Sequence, residues 1–469
     1  MVFSSVIFLC FFLPVVFFVN KLCPNVRVQN VLLTVFSLIF YAYGEPYFIF
    51  LLLALALLHY LAGLAVLKKG RFPKALLGFL LAADLAGLLI FKYAAFLIET
   101  VNAAVHISLP VPHIALPIGI SFFTFQIMSY AIDAYRDNRL IQKNFLHLLL
   151  YISFFPQLIA GPIVRYEDIR EQLTERAYDR SQAAPGFQRF ITGLAKKVLI
   201  SNTMATAADL MFALGTDELT MPAAFLASAA YGLQIYYDFS GYSDMAIGMA
   251  QMFGFRFQEN FNYPYSALSI SDFWRRWHIS LTSWFRSYVY IPLGGNRKGK
   301  ARTMLNILIV FLLTGIWHGA NYTFIIWGLY HAFFMIAERL GVIPVDKIRF
   351  KPLKWLYTVF VAFTGFIIFR ADSLSYAWAM IRSLFAFSTF DRAGLAPMLA
   401  RLDPYFLFIL AIAVVFSFPI LPKIRERFGD LRAKTGVKLI SYVVSAATLF
   451  VCLAFLITDS YNPFIYFNF

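Results

Sequence analysis

The sequence predicts an all-α polytopic membrane protein, and three observations support this fold class. Hydrophobic residues make up 60% of the 469 residues and charged residues only 14%, well below the roughly 25% of a soluble domain. Long apolar runs recur along the whole chain. Most Lys and Arg residues lie in the short links between these runs, which is the positive-inside pattern of integral membrane proteins. These features exclude a soluble enzyme, a disordered chain and a disulfide scaffold.

The net charge of +15, from 40 Lys and Arg against 25 Asp and Glu, follows the same topology. In a soluble protein it would indicate nucleic-acid binding; here we predict contact with membrane lipids and no nucleic acid. Three cysteines, Cys10, Cys23 and Cys452, lie in or beside apolar segments without a CxxC pair. They predict neither a disulfide framework nor a zinc site.

The apolar runs predict one membrane domain over residues 1–469, with about 11 or 12 membrane segments. No Lys or Arg precedes Lys21, so we expect the first run to be a retained span. The basic links then lie in the cytoplasm, which places the N-terminus and the C-terminus outside. The expected spans are 2–19, 30–43, 48–67, 75–97, 116–135, 191–213, 222–253, 303–318, 322–338, 355–371, 404–421 and 437–457.

One further apolar segment, 145–163, is interrupted by Pro156, Gly161 and Pro162. Irregular backbone is tolerated at membrane depth only where protein or water covers it. We therefore expect this segment to be re-entrant, entering and leaving on the cytoplasmic side.

Polar side chains inside apolar runs are candidate functional residues, because a polar group in hydrocarbon is costly unless it is paired. His318 lies deep in such a run, between Gly315 and Gly319. Glycines let a backbone or a ligand approach closely, and imidazole is suited to proton transfer near neutral pH. The structural alternative is a neutral histidine that is hydrogen-bonded between helices.

Residues 269–295 predict one amphipathic helix at the cytoplasmic interface. Ser269 and Asp272 have the spacing of a helix N-cap box, and aromatic residues at steps of three and four then form an apolar face. His278 lies on this face. It is a second candidate active-site residue, with an ordinary core histidine as the alternative.

Cationic residues of the same region would suit an anionic substrate that carries phosphates. The alternative is that cytoplasmic loops are basic in any case and contact anionic lipid. The candidate binding residues are Arg275, Arg276, Arg297 and Lys298.

Two carboxylates, Asp238 and Asp244, lie in the expected span 222–253. Six residues correspond to roughly 600° of helical rotation, so the two side chains do not share a face of a regular helix. A paired acid–base site is therefore weakly supported, and structural hydrogen bonding around an interrupted helix is favoured. The sequence has no evident cluster of metal ligands, and we predict no metal site.

The segment 459–469 is expected outside the membrane and is rich in aromatic residues. An external end of a chain is usually polar, so we expect this segment to dock back into the protein or the interface. An aromatic interface anchor is the alternative.

Taken together, these features resemble the membrane-bound O-acyltransferase (MBOAT) family, in particular its members that O-acetylate bacterial polysaccharides such as alginate. The resemblance extends from Met1 to about residue 340. In that family the position matching His318 is the catalytic histidine, and the position matching His278 is the second active-site histidine. The matching stretches are 116–122, 160–162, 237–246, 272–281, 293–299 and 315–321.

The resemblance implies a ring of transmembrane helices with a thin centre and a cytoplasmic funnel, in a bacterial cytoplasmic membrane. It implies acetyl-CoA as donor and a polysaccharide outside as indirect acceptor, with a serine-hydrolase-like acetyltransferase as extracytoplasmic partner. The C-terminal segment resembles the aromatic tail of a small membrane peptide in teichoic acid D-alanylation, whose tyrosine is described as the acyl carrier. The matching residue here is Tyr466.

Two alternatives remain open. The donor could be a D-alanyl or other acyl carrier protein. From a different class, a transporter or flippase for a lipid-linked sugar would also contain interrupted helices and intramembrane polar residues, although the inverted repeats that would favour it are not evident. A purely structural scaffold is disfavoured, because it has no need for His278 and His318 in costly positions.

Overall fold

The computed structural model describes residues 1–23, 25–70, 72–176, 180–429, 435–458, 461–463 and 465. Over these residues the chain is mainly α-helical and has no β-strand, which confirms the predicted fold class. The chain forms two compact units, which are described separately. Unit 1 comprises Met1–Phe190 and Ser243–Gln258, and unit 2 comprises Ile191–Tyr242 and Glu259–Phe469.

Ten helices begin within the described part of unit 1. They are α1 (Leu13–Leu22), α2 (Val26–Gly44), α3 (Phe48–Lys69), α4 (Lys74–Leu88), α5 (Ala94–Val105), α6 (Ile120–Arg136), α7 (Phe145–Ser153), α8 (Phe155–Leu158), α9 (Tyr166–Ile169) and α10 (Arg180–Ala195).

Twelve helices begin within the described part of unit 2, and a π-helical segment, Lys196–Ser201, leads into them. They are α11 (Asn202–Phe212), α12 (Met221–Met252), α13 (Ile270–Arg276), α14 (Ile279–Phe285), α15 (Lys300–His318), α16 (Tyr322–Leu340), α17 (Lys351–Arg370), α18 (Leu374–Ser383), α19 (Arg392–Leu399), α20 (Pro404–Phe416), α21 (Ile420–Phe428) and α22 (Thr435–Thr458).

Six helical segments of the described chain are long and apolar enough to cross a membrane, and α19 with α20, bent by 80°, would make a seventh. The protein is therefore a multi-pass membrane protein. Other expected spans are helical but outside this group; the span 116–135 is the 17-residue α6, whereas 222–253 and 322–338 are the continuous helices α12 and α16, which are long enough but less apolar. The six segments are Val26–Gly44, Phe48–Lys68, Lys74–Val105, Lys300–His318, Lys351–Arg370 and Gly436–Thr458.

The expected interruption of segment 145–163 is present in unit 1. Helix α7 ends at Ser153, and the short α8 begins two residues later. The amide of Phe155 donates to Ser37 Oγ at 3.1 Å, so a side chain from α2 replaces the helical partner that this amide lacks. Residues 148–164 are buried in protein throughout, which is the condition that irregular backbone at membrane depth requires.

Helix α12 is continuous from Met221 to Met252, so the expected helix interruption between the two aspartates is wrong. Asp244 pairs with Arg189 at 2.8 Å within unit 1. Asp238 pairs with Lys197 at 2.6 Å within unit 2. The two carboxylates therefore have different partners, as their six-residue spacing on a regular helix requires.

Unit 1 also contains a buried polar pair between two of its apolar helices. His59 Nε2 lies 3.3 Å from Asp84 Oδ2, and both side chains are fully buried. His59 Nδ1 donates to the carbonyl of Leu55 at 3.0 Å. The imidazole and the carboxylate thus pair with each other in an otherwise apolar surrounding. Neither residue was among the candidates predicted from the sequence.

Close packing of α15 against α16 positions the end of α15 in unit 2. A methyl group on Gly315 would collide with the carbonyl oxygen of Phe324, and one on Gly328 would collide with that of Phe311. Glycines at these points let the two backbones approach to within contact. This confirms the close approach that was expected at Gly315.

Candidate active site

The expected amphipathic helix 269–295 is divided at His278, so the prediction of one continuous helix is wrong. Helix α13 begins with the predicted cap, in which Ser269 Oγ accepts a hydrogen bond from the amide of Asp272 at 3.0 Å. It ends at Arg276, and His278 then has a φ of 45°, in the left-handed region that side chains other than glycine rarely adopt. Helix α14 follows directly.

Asn260 stabilises this break, because it pairs backbone groups that a continuous helix would pair internally. Its carbonyl oxygen accepts from the amide of Ile279 at 2.9 Å. Its side-chain Oδ1 accepts from the amide of Ser280 at 3.1 Å and from Ser280 Oγ at 2.9 Å. The apolar periodicity contains no sign of this contact, because Asn260 lies outside the periodic segment.

Asn260 also fixes the tautomer of His278, whose Nδ1 lies 3.2 Å from Asn260 Oδ1. Since that oxygen can only accept, His278 Nδ1 carries the proton and Nε2 presents a lone pair. No described residue hydrogen-bonds Nε2. Burial, with a smaller contribution from His318, lowers the pKa of His278 well below its usual value, so the ring is neutral at neutral pH.

His318 is the last residue of α15 and is 5% exposed. Its ring centroid lies 5.0 Å from that of Trp327 and 5.2 Å from that of Phe369. The indole ring of Trp317 lies 4.9 Å from His318 and 6.1 Å from His278. The structure therefore brings the two predicted histidines to one aromatic cluster, although they are 40 residues apart in the sequence.

A cavity of about 420 Å³ in unit 2 lies between α13, α14, α15 and α16. Its wall includes Phe311 and Thr314, which precede His318 by seven and four residues and so share its face of α15. His318 itself does not line the cavity. The lining residue of α15 nearest to His318 is therefore Thr314, which lies about one helical turn, or roughly 6 Å along the helix axis, before this histidine.

Three exposed arginines, Arg275, Arg286 and Arg339, line the otherwise mostly apolar cavity. Trp274 also lines it, and the indole N–H of this residue has no hydrogen-bond acceptor among the described residues. Such a site suits a ligand with an apolar body and anionic groups, because guanidinium groups bind phosphates by paired hydrogen bonds.

Of the four cations predicted for binding, the structure places Arg275 at this cavity. Arg276 pairs with Asp272 at 3.0 Å and does not line the cavity. Arg297 and Lys298 are exposed in the loop before α15 and do not line it either. Sequence reasoning missed Arg286, which lies within the expected amphipathic helix, and Arg339, which looks like the ordinary basic end of a membrane helix.

Tyr466 lies outside the described residues. Just before it, the amide of Ile465 donates to Asp238 Oδ2 at 3.0 Å, within unit 2. Ile465 is 7% exposed, so this part of the C-terminal segment docks into the protein as expected. Within the described chain, no three His, Cys, Asp or Glu side chains are grouped so as to hold a metal ion.

The sequence profile of the membrane-bound O-acyltransferase (MBOAT) family matches residues 89–380. The chain belongs to the MBOAT family. The match includes α13 to α16 and both histidines of the aromatic cluster. The protein is accordingly a membrane-bound acyltransferase.

Curated MBOAT relatives match most or all of the chain. It is 39% identical over 488 residues to the probable alginate O-acetylase AlgI of Pseudomonas putida, with both chains fully covered. It is 43% identical over 403 residues to the protein of that name from Pseudomonas aeruginosa, covering 84% of this chain and 77% of the relative. It is 34% identical over 420 residues to the peptidoglycan O-acetyltransferase of Helicobacter pylori, covering 82% and 80%.

Replacing Asn260 with aspartate should change the pH dependence of acyl transfer. Asp keeps an acceptor for His278 but adds a negative charge, which favours the protonated ring and so raises the pKa of the histidine from its lowered value. If neutral His278 is the active form, the acidic limb of the pH–rate profile should move to higher pH. Initial rates measured between pH 5 and about 9 would test this.

Asn144→Asp is the matched control, because Asn144 caps α7 in unit 1 and contacts no active-site candidate. Its profile should equal that of the parent protein. Identical profiles for the parent and Asn260→Asp would show that the charge state of His278 does not affect the reaction.

Proposed function

We propose that this MBOAT protein is an O-acetyltransferase that moves an acetyl group from cytoplasmic acetyl-CoA toward an extracytoplasmic polysaccharide. It would lie in a bacterial cytoplasmic membrane with both termini outside. The activities named for the relatives, alginate and peptidoglycan O-acetylation, support this substrate class. The observation that carries the proposal is the arginine-lined cavity against α15, whose lining includes Thr314, one turn before His318.

The cavity fits the chemistry of a coenzyme A thioester. Its apolar walls suit the long pantetheine arm, and Arg275, Arg286 and Arg339 suit the phosphate groups. The cavity does not reach His318, because its nearest lining residue on α15, Thr314, lies one turn earlier. A side chain at the inner end of the cavity must therefore change rotamer before the thioester can reach the imidazole. Thr314 and Trp274 lie at this inner end, and the ring centroid of Trp274 lies 5.6 Å from that of Trp327.

His318 acts as the general base in the proposed reaction. It takes the proton of an acceptor hydroxyl, whose oxygen forms a bond to the thioester carbonyl carbon. The carbon–sulfur bond then breaks, the proton passes from the imidazole to the sulfur, and coenzyme A leaves as the thiol. His278, with Nδ1 protonated and a lone pair on Nε2, orients the hydroxyl.

The acceptor hydroxyl in this proposal is that of Tyr466. A phenol has a pKa of about 10, far below that of an alcohol or water, so phenolate is the better leaving group. An aryl ester therefore keeps transfer potential that a sugar ester lacks, and thioester, tyrosyl ester and sugar ester form a downhill series. An extracytoplasmic serine-hydrolase-like acetyltransferase would take the acetyl group from Tyr466 to the polysaccharide.

Replacing His318 with glutamine should reduce acetyl transfer by roughly 10²–10⁴-fold, because a general base contributes about that factor. The measurement is polysaccharide-bound acetate in cells that express the variant at the level of the parent protein. His331→Gln is the control, because His331 is also buried and its ring lies 5.2 Å from Trp327. Equal loss in both variants would assign His318 a packing role only.

Neutralising the cavity arginines should raise the KM for acetyl-CoA while leaving kcat nearly unchanged, since these side chains bind the donor equally in the ground and transition states. We expect an increase of at least about tenfold for Arg286→Gln or Arg339→Gln. Steady-state rates in proteoliposomes with varied acetyl-CoA would measure it.

Arg297→Gln is the comparison, because Arg297 is exposed and does not line the cavity. An increase in KM for this variant alone would move the donor site to the loop before α15. Activity with a D-alanyl carrier protein but not with acetyl-CoA would replace the proposed donor.

Replacing Tyr466 with phenylalanine removes one oxygen and should abolish transfer to the polysaccharide. Mass spectrometry of parent membranes supplied with acetyl-CoA should find the acetyl group on Tyr466. Tyr442→Phe removes the same oxygen at an exposed position of α22, outside the C-terminal segment, and should retain labelling at residue 466. Undiminished transfer by Tyr466→Phe would show that the C-terminal segment is an anchor.

A further inference from the structure

A buried ion pair in unit 2 lies outside the two-histidine cluster. Lys197 Nζ and Asp238 Oδ1 are 2.6 Å apart, and the side chains are 2% and 1% exposed. Lys197 belongs to the π-helical segment after α10, and Asp238 belongs to α12. Gly241, one turn after Asp238, lets these elements approach, because a methyl group there would lie 2.7 Å from the carbonyl oxygen of Gly193.

Both members of the pair also bind the backbone of the C-terminal segment. Lys197 Nζ donates to the carbonyl of Pro463. Asp238 Oδ2 accepts from the amide of Ile465 at 3.0 Å, while Oδ1 faces Lys197. The two contacts lie on either side of residue 464, and the second is made by the residue immediately before Tyr466.

Further contacts fix the residues that lead into the pair. The side-chain amide of Asn202 donates to the carbonyl of Tyr461 at 3.3 Å and to Asn462 Oδ1 at 3.4 Å. The hydroxyl of Tyr461 donates to Asp209, which also accepts from Arg370 at 3.0 Å. Polar side chains of α11 and α17 thus hold the segment before it reaches Lys197.

The chemistry of the pair matches what a buried non-helical segment needs. Its amide and carbonyl groups have no helical partners, and buried backbone groups must be hydrogen-bonded. An ammonium group can only donate and a carboxylate can only accept, so the pair supplies one partner of each kind. Stability alone does not explain the pair, because desolvation of two buried charges offsets most of their attraction.

We infer that Lys197 and Asp238 form a backbone clamp, which holds the C-terminal segment at Pro463 and Ile465 and thereby positions Tyr466. The role in positioning rests on the proposed function, in which Tyr466 accepts the acetyl group; the clamp itself does not. Both are positioning residues, because they bind backbone and not the reacting hydroxyl. Helix α12 links the clamp to the active site, since Phe239 packs against His278 with centroids 4.5 Å apart.

Hydrogen–deuterium exchange of the full-length protein in nanodiscs tests the clamp on the peptide that contains Ile465. Asp238→Asn removes the charged acceptor with almost no change in shape, and exchange of this peptide should become about tenfold faster. Asp244→Asn is the matched control on the same helix, because Asp244 pairs with Arg189 in unit 1. Exchange as slow in Asp238→Asn as in the parent would overturn the clamp.

The exchanged pair Lys197→Asp with Asp238→Lys separates a clamp from a structural ion pair. Opposite charges are retained, so thermal stability should recover relative to Lys197→Met. The peptide with Ile465 should still exchange rapidly, because an ammonium group at position 238 cannot accept from its amide. Recovery of slow exchange in the exchanged pair would overturn the clamp; if this variant does not fold, Asp238→Asn against Asp244→Asn decides.

The same variants distinguish failure of the clamp from failure of the proposed function. Tyr466→Phe should leave exchange at Ile465 as slow as in the parent, because the clamp binds backbone. Fast exchange together with lost acetylation in Asp238→Asn supports the clamp and the Tyr466 step. Fast exchange with undiminished polysaccharide acetylation supports the clamp but overturns its role in positioning Tyr466, while transfer by Tyr466→Phe separately tests the Tyr466 step.

Discussion

Backbone amides and carbonyls withdrawn from water must be paired within the protein, and this constraint shapes each irregular segment of the described chain. Three side chains provide such partners. Ser37 pairs the amide at the start of α8, Asn260 pairs the backbone between α13 and α14, and Asp238 pairs the amide of Ile465. In the last two cases the segment that is held carries a residue proposed for chemistry or directly precedes one. Irregular backbone and function therefore coincide here because both need a fixed polar partner in an apolar surrounding.

Close packing of two helices fixes the position of His318. Gly315 and Gly328 bring the α15 and α16 backbones into contact, so the end of α15 is held against Trp327 and its aromatic neighbours. The rings of Trp317, Trp327 and Phe369 restrict the orientation of the imidazole. A general base needs such a fixed orientation toward the hydroxyl whose proton it takes.

The sequence predicts helices better than it predicts their breaks and partners. Apolar runs locate most helices to within a few residues, because hydrophobic length and charged ends are local properties. The division at His278 was missed because it depends on Asn260, which is distant from the periodic segment. The expected break in α12 was wrong because Asp238 is paired by Lys197 on another element, so the helix tolerates a charge that looks disruptive in isolation. Both histidines were found from local signals, whereas Arg339 resembles the basic flank of any membrane helix, and Arg286 and Lys197 are cations within expected helices without a local sign of their contacts.

A relay that moves only an acetyl group across a membrane has an energetic advantage over one that moves the donor. Coenzyme A carries several negative charges, and each would be costly in hydrocarbon, whereas an acetyl group on an aromatic side chain carries none. In the proposed function the cavity arginines would hold those charges at the donor site, and a tyrosyl ester would require no charge in transit. What the carrier does require is a fixed position, because a displacement of about 1 Å between reacting atoms can reduce a rate by 10²-fold. A short aromatic segment alone has too much conformational freedom for this, and the inferred clamp would limit that freedom through the two hydrogen bonds at Pro463 and Ile465.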